Sequence, residues 1–138
     1  MRDTMKKIAL NMRRYARKSE MMTTKQSIMT YCLTFEDVYR DTPFHDTNWV
    51  LFRYRKNNKA FAWLYERNEN ICVNIKVDPT WRDFWRSAYE AVLPGYHMNK
   101  EHWNTMILDG TIPDNEIKRM IAESYDLIAG TNKKPKRR

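Results

Sequence analysis

At 138 residues the chain suits one domain with a sizeable core, and its 42% hydrophobic content is ordinary for a globular protein. No apolar run approaches the ~20 residues that span a bilayer, and the basic N-terminus lacks the apolar stretch and small-residue cleavage site of a signal peptide. Cys32 and Cys72 are too few and too far apart for a disulfide framework, and the formal charge is +8.

Where that charge lies matters more than its size. Residues 1–20 hold seven Lys and Arg against Asp3 and Glu20, and the last eight residues hold five Lys and Arg and no acid. The body between them carries −2. A pI near 9.6 points to a polyanionic partner, yet the basic ends and not the body supply it. With both cysteines in apolar patterns, reduced and buried, a cytoplasmic protein is expected.

Along the chain, Met5, Ile8, Ala9 and Met12 recur at helical spacing between basic residues, which predicts a basic amphipathic helix over Thr4–Lys18. Such a helix either meets an anionic surface or packs its stripe on the body or on a second copy. Thr23 or Thr24 caps a helix from Lys25 to about Phe35, with Ile28, Tyr31, Cys32 and Phe35 on its buried face. Asp41-Thr42-Pro43 then closes a turn.

Three strands follow: Trp49–Tyr54, Ala60–Glu66 and Ile71–Val77. Asn57-Asn58 suits the positive φ of a two-residue turn in the hairpin tip Tyr54–Lys59, and Asn68-Glu69-Asn70 makes a second turn. In the third strand Ile71, Val73, Ile75 and Val77 face one way and Cys72, Asn74 and Lys76 the other. That alternation predicts an antiparallel sheet with one covered and one wetter face. Phe61, Trp63 and Tyr65 are expected to share one face of the second strand, either buried or as a base-stacking platform.

Asp78-Pro79 starts a helix whose stripe is Trp81, Phe84, Trp85 and Ala88, and Ala91–Pro94 leads out of it. The corner at Pro94-Gly95 precedes a short strand at Tyr96–Met98 and another at Trp103–Leu108. Asp109-Gly110 turns the chain, and Pro113-Asp114 opens a last helix with Ile117, Met120, Ile121, Ser124 and Ile128 as its stripe and Gly130 at C′. The chain thus divides into a basic extension 1–22, a domain 23–130 and a disordered basic tail 131–138. The fold class is α+β: two layers, an antiparallel sheet with helices on one face, in α-β(3)-α-β(2)-α order plus an extra N-terminal helix.

The run Pro94-Gly95-Tyr96-His97-Met98-Asn99-Lys100, continuing into His102-Trp103-Asn104-Thr105, resembles the MmcQ/YjbR family of small bacterial proteins. Asn74-Ile75-Lys76 with Asp78-Pro79, Leu108-Asp109-Gly110 and Ser124-Tyr125-Asp126-Leu127 extend the resemblance over roughly Thr24–Ile128. It implies a two-layer α/β fold and DNA binding through two projecting hairpins, a double wing. The wings here would be Tyr54–Lys59 and the turn around His97–His102. The DNA-contacting residues implied are Arg53, Arg55, Lys56, Asn57, Lys59, His97, Asn99, Lys100 and His102.

His97 and His102 are the conceivable catalytic or metal pair, but no Cys lies near them to complete a zinc site. Neither a glycine-rich phosphate loop nor a nucleophile elbow is present, so no enzyme activity, metal or cofactor is expected. The bland role for His97, Asn99, His102 and Asn104 is to hydrogen-bond the corner and hold Trp103 to the core. DNA is the expected partner. The alternative is a protein-interaction or chaperone-like module that uses the open sheet face or the N-terminal helix, with a second protein or a second copy of the chain as its partner.

Overall fold

A computed structural model describes residues 21–131. The predicted helix Thr4–Lys18 and most of the predicted tail lie outside the described residues. The elements run α1 (Lys25–Cys32), β1 (Val38–Asp41), β2 (Val50–Tyr54), β3 (Ala60–Arg67), β4 (Asn70–Lys76), α2 (Pro79–Ala88), β5 (Val92–Pro94), β6 (Trp103–Ile107) and α3 (Asp114–Ala129). All six strands form one antiparallel sheet in the order β1-β2-β3-β4-β6-β5.

The helix ends follow local chemistry. Thr24 and Ser27 form a reciprocal capping box on α1. Asp78 caps α2, its carboxylate accepting the Thr80 N–H at 3.0 Å, with Pro79 in the first turn. Gly130 ends α3 in the left-handed region at φ 74°, where a side chain would be strained.

One sheet face is the main core. Val50 and Phe52 of β2, Ala62 and Leu64 of β3, Val73 and Ile75 of β4 and Met106 of β6 meet Ile28 and Cys32 of α1 and Ile117, Met120, Ile121 and Ile128 of α3. Trp85 of α2 joins them from above the β5–β6 edge. The helices therefore lie on one side of the sheet, as the sequence predicted.

Five expectations are corrected. First, Val38–Asp41 is a strand and not part of a turn, which makes the order α-β(4)-α-β(2)-α: its short, polar run gains strand geometry only by pairing with Leu51–Tyr54. Second, the strand after α2 is Val92–Pro94, while Tyr96–Met98 belongs to the following turn. Pro94 lacks an N–H and is tolerated there because β5 is an edge strand. Third, α2 sits over that edge, so only Trp85 of its aromatic stripe is buried, and Trp81 and Phe84 are 49% and 51% exposed.

Fourth, a bulge separates Phe61 from Trp63 and Tyr65. Phe52 pairs with Ala62 and Arg53 with Ala60, so Phe61 is the extra residue and packs among the helices against Phe35 and Tyr125. The backbone groups flanking the bulge are bridged by Ser124 of α3. Its hydroxyl donates to the Phe61 carbonyl at 2.6 Å and accepts the Lys76 N–H at 2.8 Å. Fifth, the opposite sheet face is not open. Tyr65, Cys72, Asn74 and Thr105 on that face are all buried beneath the connecting loops.

Candidate functional site

Phe52, Ala62, Ile75, Asn104 and Pro94 lie at one level across the sheet. Just beyond that level the β2–β3 tip (55–59) and the β5–β6 turn (95–102) leave from the same end. With β4 alone between the two hairpins in the order, the hairpin centres stand three strand spacings apart, about 14 Å.

The β2–β3 tip is a five-residue connection and not the tighter two-residue turn expected. Asn58 takes the positive φ, 62°, and its N–H reaches the Tyr54 carbonyl at 2.7 Å. Asn57 anchors the tip: its side chain accepts the Lys59 N–H and donates to the Ile128 carbonyl at the end of α3, both at 2.9 Å. The cations are only partly available. Arg53 is drawn back to Asp41 at 2.7 Å and to the Asn58 carbonyl at 2.8 Å. Arg55 lies over the Tyr39 ring at 5.1 Å, and Lys56 faces Asp37 at 3.7 Å. Arg55, Lys56 and Lys59 are exposed, and Lys59 has no ion pair among the described residues.

The second turn folds back over the sheet. A Cβ on Gly95 would stand 2.8 Å from Trp103 Cβ and 3.0 Å from the Trp103 carbonyl oxygen, so only glycine permits this crossing. Lys100 turns inward, its ammonium donating to the Gly95 and Met98 carbonyls at 2.7 and 3.3 Å. Asn99 accepts the Glu101 N–H at 2.8 Å. Outside, Arg86 of α2 bonds Asn104 Oδ1 at 2.7 Å and the Lys100 carbonyl, and burial first, then the Arg82 charge, lowers its pKa. His97, at φ 62°, lays its ring on Tyr96 at 4.0 Å, while the His102 carbonyl accepts the Val77 N–H at 2.8 Å. Among the described residues, no three His, Cys, Asp or Glu side chains converge as a metal site would require. Burial raises both cysteine thiols above their ordinary pKa.

The residues that sequence reasoning missed lie on the second sheet face. Asn74 is fully buried, and its Oδ1 accepts from Tyr65 Oη at 2.8 Å and Thr105 Oγ1 at 2.6 Å. Its amide donates to the Tyr96 carbonyl at 3.0 Å, and Thr105 accepts the Tyr96 N–H at 2.8 Å. This network seats Tyr96 on the sheet. Trp49 stacks on Tyr65 at 4.2 Å, and burial pushes the Tyr65 phenol up to about 12. Phe44, Asp46, Trp49, Trp63, Tyr96, His97 and Met98 surround a cleft of about 300 Å³. The sequence signals were Trp63 and Tyr65 on one face of a strand, Asn74 within the family-like run Asn74-Ile75-Lys76, and an aromatic content of five Trp and eight Tyr.

The YjbR family model matches residues 33–127, a span that includes both turns and the buried Asn74 network. The chain belongs to the YjbR family. It is 26% identical over 102 residues to the YjbR protein of Escherichia coli K12, covering 74% of this chain and 84% of the relative. It is 30% identical over 116 residues to the YyaQ protein of Bacillus subtilis, covering 69% and 98%. Among solved structures, the Deinococcus radiodurans protein DR2400, a DUF419-domain protein, superposes with a TM-score of 0.75 at 27% identity over 85% of this chain and 86% of that one. A Pseudomonas syringae crystal structure gives a TM-score of 0.69 at 28% identity over 76% and 98%. No helix among the described residues is long and apolar enough to cross a membrane.

Proposed function

We propose that this YjbR-family chain is a non-catalytic binding protein that holds DNA by its phosphates, through the β2–β3 tip and the basic flanks, with little base discrimination. The observation that supports it is the shared placement of the two turns at one sheet end, with Arg55, Lys56 and Lys59 exposed on the first. A two-stranded ribbon of this kind fits a major groove or rides along the backbone. Residues 21–131 carry a net −2, so the flanks supply most of the attraction and the tip supplies orientation. A cytoplasmic location goes with this reading.

The test is a titration of the full chain on duplex DNA at several salt concentrations. Replacing Lys56 and Lys59 together by alanine lowers the slope of log K against log salt by about two, close to one per lost phosphate contact. An unchanged slope removes the tip from the contact surface. Binding that ignores salt, or fails at low salt, rejects DNA as the partner.

A further inference from the structure

The cleft on the second sheet face is a built recess that the DNA reading does not use. Its walls are aromatic, and among the described residues Asp46 is the one carboxylate in its lining. We propose that it is an aromatic cage for a small organic cation, a methylated ammonium of the choline type.

The ring geometry favours a rounded cation over a flat guest. A planar base needs two parallel faces with a gap between them. Here Trp49 and Tyr96 are parallel to within 6° with centroids 6.5 Å apart, but Tyr65 already stacks on both, at 4.2 and 5.8 Å, and Trp63 stands across Trp49 at 85° with centroids 6.2 Å apart. Phe44 faces Trp63 at 6.0 Å and adds a third wall. Faces meeting near a right angle present their negative quadrupoles to a common centre, which is what a methylated ammonium requires. One ring of the lining already attracts a cation: the Arg67 guanidinium lies 4.0 Å from the Tyr96 centroid.

Charge and polarity agree. Among the described residues no Lys or Arg lines the cleft, and Asp46 is exposed at its rim, held in a turn by accepting the Asn48 N–H at 3.0 Å. Trp63 Nε1 is buried without a hydrogen-bond partner among the described residues. The volume of about 300 Å³ lies at the small end of ligand pockets, which suits a free small amine.

The experiment is a titration of the full chain with choline and with its neutral carbon isostere 3,3-dimethylbutan-1-ol, followed by tryptophan fluorescence. Both carry the hydroxyl, so their difference isolates the charge. Saturable choline binding at least about ten-fold tighter than the isostere is expected. Asp46→Asn and Phe44→Ala, both at exposed loop positions, each weaken choline at least about three-fold with an unchanged melting temperature. No saturation by about 50 mM choline, equal binding of the isostere, or full-strength binding by both variants overturns the proposal. Tighter binding of a trimethyllysine peptide than of choline also overturns it, by making the guest a protein tail. DNA titrations are unaffected by any of these outcomes, so the two proposals fail separately.

Discussion

Ser124→Ala removes one oxygen from the interior and separates three elements. In the native chain that hydroxyl, with no exposure to solvent, ties the bulged residue of β3 to β4: the Phe61 carbonyl lies at 2.6 Å and the Lys76 N–H at 2.8 Å. The variant leaves both backbone groups buried and unpaired. At about 1–3 kcal/mol for each of the two orphaned groups, and with little cavity left by a single oxygen, the expected loss is about 2–6 kcal/mol. Alanine's better helix propensity returns about 0.5 kcal/mol, so the observed figure sits toward the lower part of that range. Urea unfolding followed by tryptophan fluorescence measures it, as a lower midpoint at constant slope. The exposed Ser87→Ala on α2 serves as the control for propensity alone and stays within about 0.5 kcal/mol of the parent. A Ser124→Ala loss no larger than that of the control refutes the bridge, because the bulge would then satisfy its own backbone.

Two further outcomes follow from the second sheet face. Burial raises the Tyr65 phenol to about 12 from an ordinary 10, so the unfolded chain ionises first on going alkaline. The neutral phenol's contribution is complete below pH 10 and is lost as pH rises toward 12. Tyr65→Phe therefore shows a shallower alkaline decline than the parent in stability against pH, and parallel profiles would contradict this. Gly95→Ala forces a methyl to within 2.8 Å of Trp103 Cβ and costs about 1–3 kcal/mol in the same urea assay, and a neutral result would mean the corner shifts freely.

Much of the architecture was written locally. Thr24, Asp78 and Gly130 announced helix boundaries by their own chemistry, and Ile71 to Val77 displayed a period of two. What escaped depended on partners distant in sequence. Val38–Asp41 has no pattern of its own and becomes a strand because β2 lies beside it. Phe61 changes face because β2 runs one residue short of β3 there, which no alternation within β3 records. The same blindness affected the proposed interface. The run of cations from Arg53 to Lys59 was plain, but Asp41 and Asp37, which hold Arg53 and Lys56, come from and just before the strand that went unrecognised. The cleft was hidden because Phe44, Trp63 and Tyr96 lie on three separate segments, and only the folded-back turn brings them together.

That turn is fastened from within by the Lys100 ammonium and from without by the Arg86 guanidinium. A connection of this length is ordinarily pliant and moulds itself to whatever it meets. This one arrives with its outline settled, so little freedom is surrendered when something docks against it. For any partner that met this surface, such rigidity would make shape mismatch as effective a filter as chemistry.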